Sequence, residues 1–225
     1  MKRFCLLLGT LLLIAACGTL PKIDRPDGRI FPQGFADCRR LFLPGRWQFQ
    51  HAIEATLPGG KKSILMGVSV VSSTNGSIHC ILLTVEGLVV FDAEFDQGIR
   101  VLRALPPFDS EHFAQGLIND IRLIFLMPEG PLAESGTLQN GSPICRYRQP
   151  DKAVVDIVKN SERHWTLRQY DRWLAKKRTV DFFFNDSFRF DGLQTPVRLK
   201  LISHGFDGYT LDMDLIEAVS LEEHK

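Results

Sequence analysis

Charge of one sign is the first thing this chain lacks. Its 225 residues carry 27 Lys and Arg against 26 Asp and Glu. No basic excess announces a nucleic-acid partner, which would need one to neutralise phosphates. Cysteine is scarce, five in all, and no two have metal-site spacing. His51, His79, His112, His164 and His204 are scattered, with no pair at the spacing of a metal-binding helix. No serine sits in a nucleophile elbow, since Gly67-Val68-Ser69-Val70 lacks the second glycine. Asp92, Glu94 and Asp96 share a strand parity, as do Asp212 and Asp214. Paired carboxylates can bind calcium or move protons, but alternating acids on a strand read as its wet face. The expectation is a protein that is not an enzyme, with no catalytic residue, metal or cofactor. Hydrophobic residues make up 44%, an ordinary globular composition. Beyond the first residues, no apolar run is long enough for a membrane-spanning helix.

What is present begins at the amino terminus. Lys2 and Arg3 precede an almost unbroken apolar run from Phe4 to Ala16, which small residues close before Cys17. The run is too short to span a bilayer. The pattern resembles a bacterial lipoprotein signal peptide with its lipobox. The resemblance implies cleavage after Ala16, leaving 209 residues, and a lipid anchor on Cys17. Gly18 after the cysteine favours the outer membrane, on its periplasmic face. Losing Lys2 and Arg3 leaves 25 basic and 26 acidic residues. Several acyl chains would make the anchor effectively stable.

Residues 17–34 read as lipidated cysteine and tether, rich in Pro, Gly and charge, ahead of a single domain over 35–225. Phe35 to Leu43 suits a short helix ended by Pro44-Gly45. Period-two alternation then starts: Trp47, Phe49, His51 and Ile53 alternate with Gln48, Gln50 and Glu54. Turns at Pro58-Gly59-Gly60, Asn75-Gly76, Glu86-Gly87 and Asp96-Gln97-Gly98 divide an antiparallel meander. Glu111 to Leu126 repeats Phe113, Leu117, Ile121 and Ile124 at helical spacing. Residues 131–143 read as loop with weak strand character. Strands resume to the end, for about ten or eleven in total. Of the cysteines, Cys80 lies in the apolar run Ile78 to Val85 and reads as a small buried hydrophobe. Cys38 and Cys145 are the preferred pair for one disulfide in an oxidising compartment.

Several strands are apolar on both faces, as at Ile64 to Val71 and Phe182 to Phe184. A long twisted sheet must curl, close or split. Two readings stay open: a dry core plugged by the helix, or an apolar groove between sheet and helix sized for acyl chains. The order of lipobox, short helix, Trp-led meander, amphipathic helix and further strands resembles the Lol superfamily, LolA/LolB-like lipoprotein carriers and receptors. The resemblance rests on Leu43-Pro44 to Phe49, on Leu105-Pro106-Pro107 and on Leu126-Met127-Pro128. It implies a mainly β (α+β) fold: one curled antiparallel sheet forming an unclosed half-barrel, lidded by the helices. Its receptor member inserts triacylated lipoproteins into the outer membrane.

The expected cavity lining is Trp47, Phe49, Met66, Val68, Leu82, Val90 and Phe91, closed by Phe113, Leu117 and Ile121 of the helix. Arg172, Lys176, Lys177 and Arg178, beside Trp173, are the expected headgroup or membrane contact. The expected function is an outer-membrane-anchored lipoprotein that binds acyl chains of a lipid or lipoprotein and assists their transfer. Its partners would be those chains, the outer membrane through Cys17, and a periplasmic carrier protein, with no nucleic acid. The alternative is a non-enzymatic scaffolding lipoprotein using an apolar surface as a protein interface.

Overall fold

The computed structural model describes residues 19–25, 38–190 and 193–221. The expected signal peptide, Cys17, residues 26–34 of the tether and the first part of the expected 35–43 helix lie outside the described residues. Cys38 and Arg39 are helical. Twelve strands follow: β1 (Arg46–Thr56), β2 (Lys62–Ser72), β3 (Ile78–Leu83), β4 (Val89–Asp96), β5 (Gly98–Ala104), β6 (Leu132–Thr137), β7 (Pro143–Arg148), β8 (Val154–Ser161), β9 (His164–Tyr170), β10 (Lys176–Phe190), β11 (Leu193–Ser203) and β12 (Thr210–Ser220). One helix, α1 (Glu111–Phe125), separates β5 from β6. The added strand is β6. Its sequence Leu-Ala-Glu-Ser-Gly-Thr has little strand preference, and it is held by the open edge of β7, which lends it hydrogen bonds that sequence cannot show.

All twelve strands form one antiparallel sheet in the order β5-β4-β3-β2-β1-β12-β11-β10-β9-β8-β7-β6. Sequence neighbours pair, except β5 and β6, and β1 also takes β12, so the sheet curls with β5 and β6 as its two edges. It is an unclosed half-barrel, and α1 is the connection from one edge to the other. Ser110 caps the helix, its Oγ accepting from the Phe113 backbone N–H at 3.1 Å. Ala114, Ile118, Ile121 and Ile124 form its buried stripe.

The register assigns the faces. Trp47, Phe49, His51 and Ile53 of β1 stand opposite Val71, Ser69, Gly67 and Leu65 of β2. Leu82, Cys80 and Ile78 of β3 continue that face, opposite Phe91, Ala93 and Phe95 of β4. This inner face holds two main apolar clusters. One joins Leu65, Leu82, Val90 and Phe91 to Ala114, Ile118 and Ile121 of α1. The other joins Ile124 to Val155, Ile157, Leu167, Val180, Phe182 and Leu199. Phe125 touches both, and also the third cluster of Trp47, Phe49 and Ala218.

The outer face carries ion pairs and polar contacts. Asp92 Oδ1 accepts from His79 Nε2 at 2.8 Å, Glu94 pairs with Arg100, and Asp212 with Arg198 and Lys200. Asp92, Glu94 and Asp212 of the alternating acids sit in these pairs, and Asp214 lies 3.9 Å from Arg198. Among the described residues, no group of three or more His, Cys, Asp or Glu is close enough to hold a metal ion.

Two ties fasten the segments before β1. Cys38 and Cys145 form a disulfide that closes a separation of 107 residues, which removes chain entropy from the unfolded state. Cys80 is free and buried on the inner face. Residues 19–25, expected as free tether, lie against the β6 edge. Asp24 exchanges backbone hydrogen bonds with Thr137, and Arg25 pairs with Glu134 at 2.7 Å. Arg146 donates to the Pro21 carbonyl at 2.9 Å while holding Asp156 through two bonds of 2.7 and 2.8 Å.

Candidate functional site

Strand alternation and the helical stripe bring most of the expected lining residues together. Leu82, Val90 and Phe91 meet Phe113, Leu117 and Ile121 in one cluster, with Phe113 edge-on to Phe91 at 5.2 Å between centroids. Trp47 and Phe49 join them through Phe125, which stacks on Phe49 at 4.5 Å. Met66 and Val68 do not take part. They face the opposite side of β2, beside Ala52 and Gln50. The reason is parity: β2 is apolar on both faces, and only pairing with β1 shows that Leu65 and Val71 are the inward set.

The inner face is filled where α1 lies on it. The enclosed void among Leu41, Trp47, Phe49, Phe125, Phe182 and Thr195 measures about 20 Å³, space for one water and no acyl chain. Thr195 is buried there with an unpartnered hydroxyl. His51 is buried against Phe49 and Phe125, and burial lowers its pKa to about 4. Burial likewise pushes the Cys80 thiol up to about 12.

Beyond the carboxyl-terminal half of α1 the inner face is open. A groove of about 990 Å³ runs between residues 39–44, α1 and the chain after it, and β8 to β10. Phe42, Leu43, Leu123, Leu126, Met127 and Val155 give it apolar walls. Arg39, Arg40, Arg122, Lys177 and Arg178 supply cationic groups along it, and Asp120, Glu129 and Asp151 are the acids. Arg122 pairs with Glu129.

One polar cluster crosses from helix to sheet in this groove. Arg178 Nε of β10 donates to Asp120 Oδ1 of α1 at 2.8 Å, and the Tyr209 hydroxyl donates to Asp120 Oδ2. Burial pushes the Asp120 carboxyl up, against the pull of Arg178 and Tyr209. Arg178 is thus separated from its sequence neighbours. Arg172, Lys176 and Lys177 are exposed, while Arg178 turns inward to the helix. The basic cluster of Arg172 and the run Lys176-Lys177-Arg178 divides because β10 alternates and carries a register shift between Lys176 and Arg178.

Asp120, Tyr209, Phe125 and Thr195 were not marked by sequence reasoning. Asp120 had one readable sign, an acid on the apolar stripe between Ile118 and Ile121 of an amphipathic helix. Tyr209 and Thr195 had none, because their positions depend on which strand lies under the helix.

Comparison with solved structures supports the architecture. The chain is similar to a LolA superfamily protein from Nitrosomonas europaea, at 12% identity and a TM-score of 0.52, over 88% of this chain and 96% of that one. It is also similar to a domain assigned to an outer membrane lipoprotein-sorting protein of Vibrio parahaemolyticus, at 10% identity and a TM-score of 0.49, over 86% and 93%. No protein-family model matches the sequence, and no curated protein matches it. The chain shares its unclosed half-barrel fold with the protein from Nitrosomonas europaea, the fold that the sequence resemblance implied.

Proposed function

We propose that this protein binds the acyl chains of a lipid or lipoprotein on its inner face and assists their transfer at the outer membrane, to which Cys17 anchors it after removal of residues 1–16. The observation that carries this reading is the groove of about 990 Å³, with apolar walls and cationic groups on one inner face. Such a site suits a molecule with an anionic head and an apolar body. Arg39, Arg40 and Arg178 offer charge to the head. Phe42, Leu43, Leu123, Leu126 and Met127 meet the first part of the chains. Longer chains need the space under α1, which is filled by Phe125, Ile121 and Ile118. The helix is therefore the moving part, and Asp120–Arg178–Tyr209 is the polar tie that must yield. No covalent chemistry is required: burying a chain from water is worth roughly 0.8 kcal/mol per CH₂, and a small difference in burial between donor and acceptor drives the transfer. A periplasmic carrier protein would deliver or receive the cargo.

A second reading, a scaffolding lipoprotein that docks another protein, has one observation in its favour. The edge strand β5 exposes Val101 and Leu102 beside unpaired backbone groups that could take up another strand.

Native mass spectrometry and lipid extraction of residues 18–225, produced without an anchor, test the first reading. Acylated species retained at about one per chain support it. A clean apo mass, with no binding of a fluorescent fatty acid, removes it and leaves the scaffold.

A further inference from the structure

Two hairpin turns at one end of the sheet present aromatic side chains that are exposed, Trp173 and Phe206. The β9–β10 turn is held rigid from within: Asp171 Oδ1 accepts from the backbone N–H groups of Trp173 and Ala175, both at 2.9 Å. Leu174 has a φ of 65°. The turn thus holds the Trp173 indole outward, 65% exposed, with the Arg172 guanidinium 3.9 Å from its ring centroid. The β11–β12 turn carries Phe206, fully exposed. These turns flank the paired strands β10 and β11, and the His204 N–H donates to the Lys177 carbonyl at 2.9 Å. They form one rim.

The charges on this rim are mostly positive. Arg172, Lys176 and Lys177 are exposed. Asp171 is engaged by its own turn and by Lys177 at 3.4 Å, and Asp207 on the second turn is the exposed acid. An indole with a polar edge and an apolar body sits favourably at the level of lipid headgroups. Arginine and lysine beside it are drawn to an anionic leaflet. A stable protein interface needs roughly 800 Å² per partner, more than two separate turn apices offer, whereas a bilayer needs only the tips.

We propose that the Trp173–Phe206 rim docks on the surface of an anionic lipid bilayer, with the two rings at the headgroup boundary and Arg172 and Lys176 on lipid phosphates. The rim uses none of the residues proposed to bind cargo, and Lys177 beside it lines the groove. Docking would hold the open end of the groove against the membrane, so cargo would pass between them without crossing water.

The test uses the full chain reconstituted into vesicles of phosphatidylethanolamine and phosphatidylglycerol whose acyl chains are brominated near the head. Trp47 and Trp165 are buried, at 4% and 7% exposure, so quenching of tryptophan emission reports Trp173. The expected result is quenching that is lost in Trp173→Phe and weakened in the Arg172→Gln, Lys176→Gln variant. Quenching undiminished in Trp173→Phe overturns the proposal, because it then arises wholly from chains reaching Trp47 or Trp165 inside the protein, which is the cargo reading alone. Absence of quenching overturns it too, and leaves the rim to a protein partner. Equal quenching in phosphatidylcholine vesicles overturns the role of charge.

Discussion

Arg178 and Asp120 lie 58 residues apart in sequence and 2.8 Å apart in space, and their contact joins the middle of α1 to β10. Asp120 is nearly fully buried and Arg178 partly so. Desolvation opposes the pair, so its net contribution is small. Removing one partner is costly, because the other charge stays behind unpaired. Asp120→Ala is expected to destabilise the protein by roughly 2–4 kcal/mol in urea unfolding. The double variant Asp120→Leu, Arg178→Met is expected to recover most of that loss. A single variant that unfolds like the parent would show that the helix does not depend on this tie.

Cys80 reports whether α1 moves. Its thiol is buried in the cluster that includes Ala114, Ile118 and Ile121, and is held neutral by burial. A thiol reagent is expected to modify it only as fast as the helix opens. Asp120→Asn should raise that rate about tenfold, and a bound acylated ligand should raise or abolish it. Cys80→Ala supplies the blank. Rapid labelling of the untouched protein would remove the closed-helix description.

His51 gives stability a pH dependence of known sign. Its pKa falls from 6.5 to about 4 because burial disfavours the imidazolium. The unfolded chain therefore binds the proton first. The stabilisation is complete above pH 6.5 and is lost as pH falls from there towards 4. The loss amounts to about 3 kcal/mol from this residue. Thermal melts of His51→Leu should be flatter than those of the parent over that window. Parallel curves would place the pH dependence elsewhere.

Gly136 lets the segment of residues 19–25 approach the sheet. A Cβ there would stand 2.4 Å from the Asp24 carbonyl oxygen and 2.8 Å from the Ile23 side chain. Gly136→Ala is expected to detach the segment at a cost of roughly 1–2 kcal/mol, the value of its few hydrogen bonds. Limited trypsin digestion should then cut sooner after Lys22, the cleavable site in this segment since Arg25 precedes Pro26. Unchanged digestion would mean that the segment tolerates the methyl group where it lies.

Much of the fold was legible because its signals are local. Turns at Asn75-Gly76 and Asp96-Gln97-Gly98, period two in Trp47 to Ile53, and the stripe of α1 each depend on residues a few positions apart. β6 was not legible, since its own sequence carries little strand preference and its bonds come from β7. Met66 and Val68 were placed on the wrong side for the same kind of reason. A strand that is apolar at both parities does not state which face meets the helix.

The sequence by itself determined the element types, the meander of short connections, the single amphipathic helix and the balance of charge. These follow from period, turn chemistry and composition, which act within one segment. Tertiary structure decided that the chain's two halves meet at β1 and β12, and that α1 bridges the two free edges. It decided that Arg178 leaves its basic neighbours for Asp120, and that the open space lies over β8 to β10. Those outcomes depend on which distant strands pair and in what register, and a shift of one residue in register exchanges the two faces of a strand.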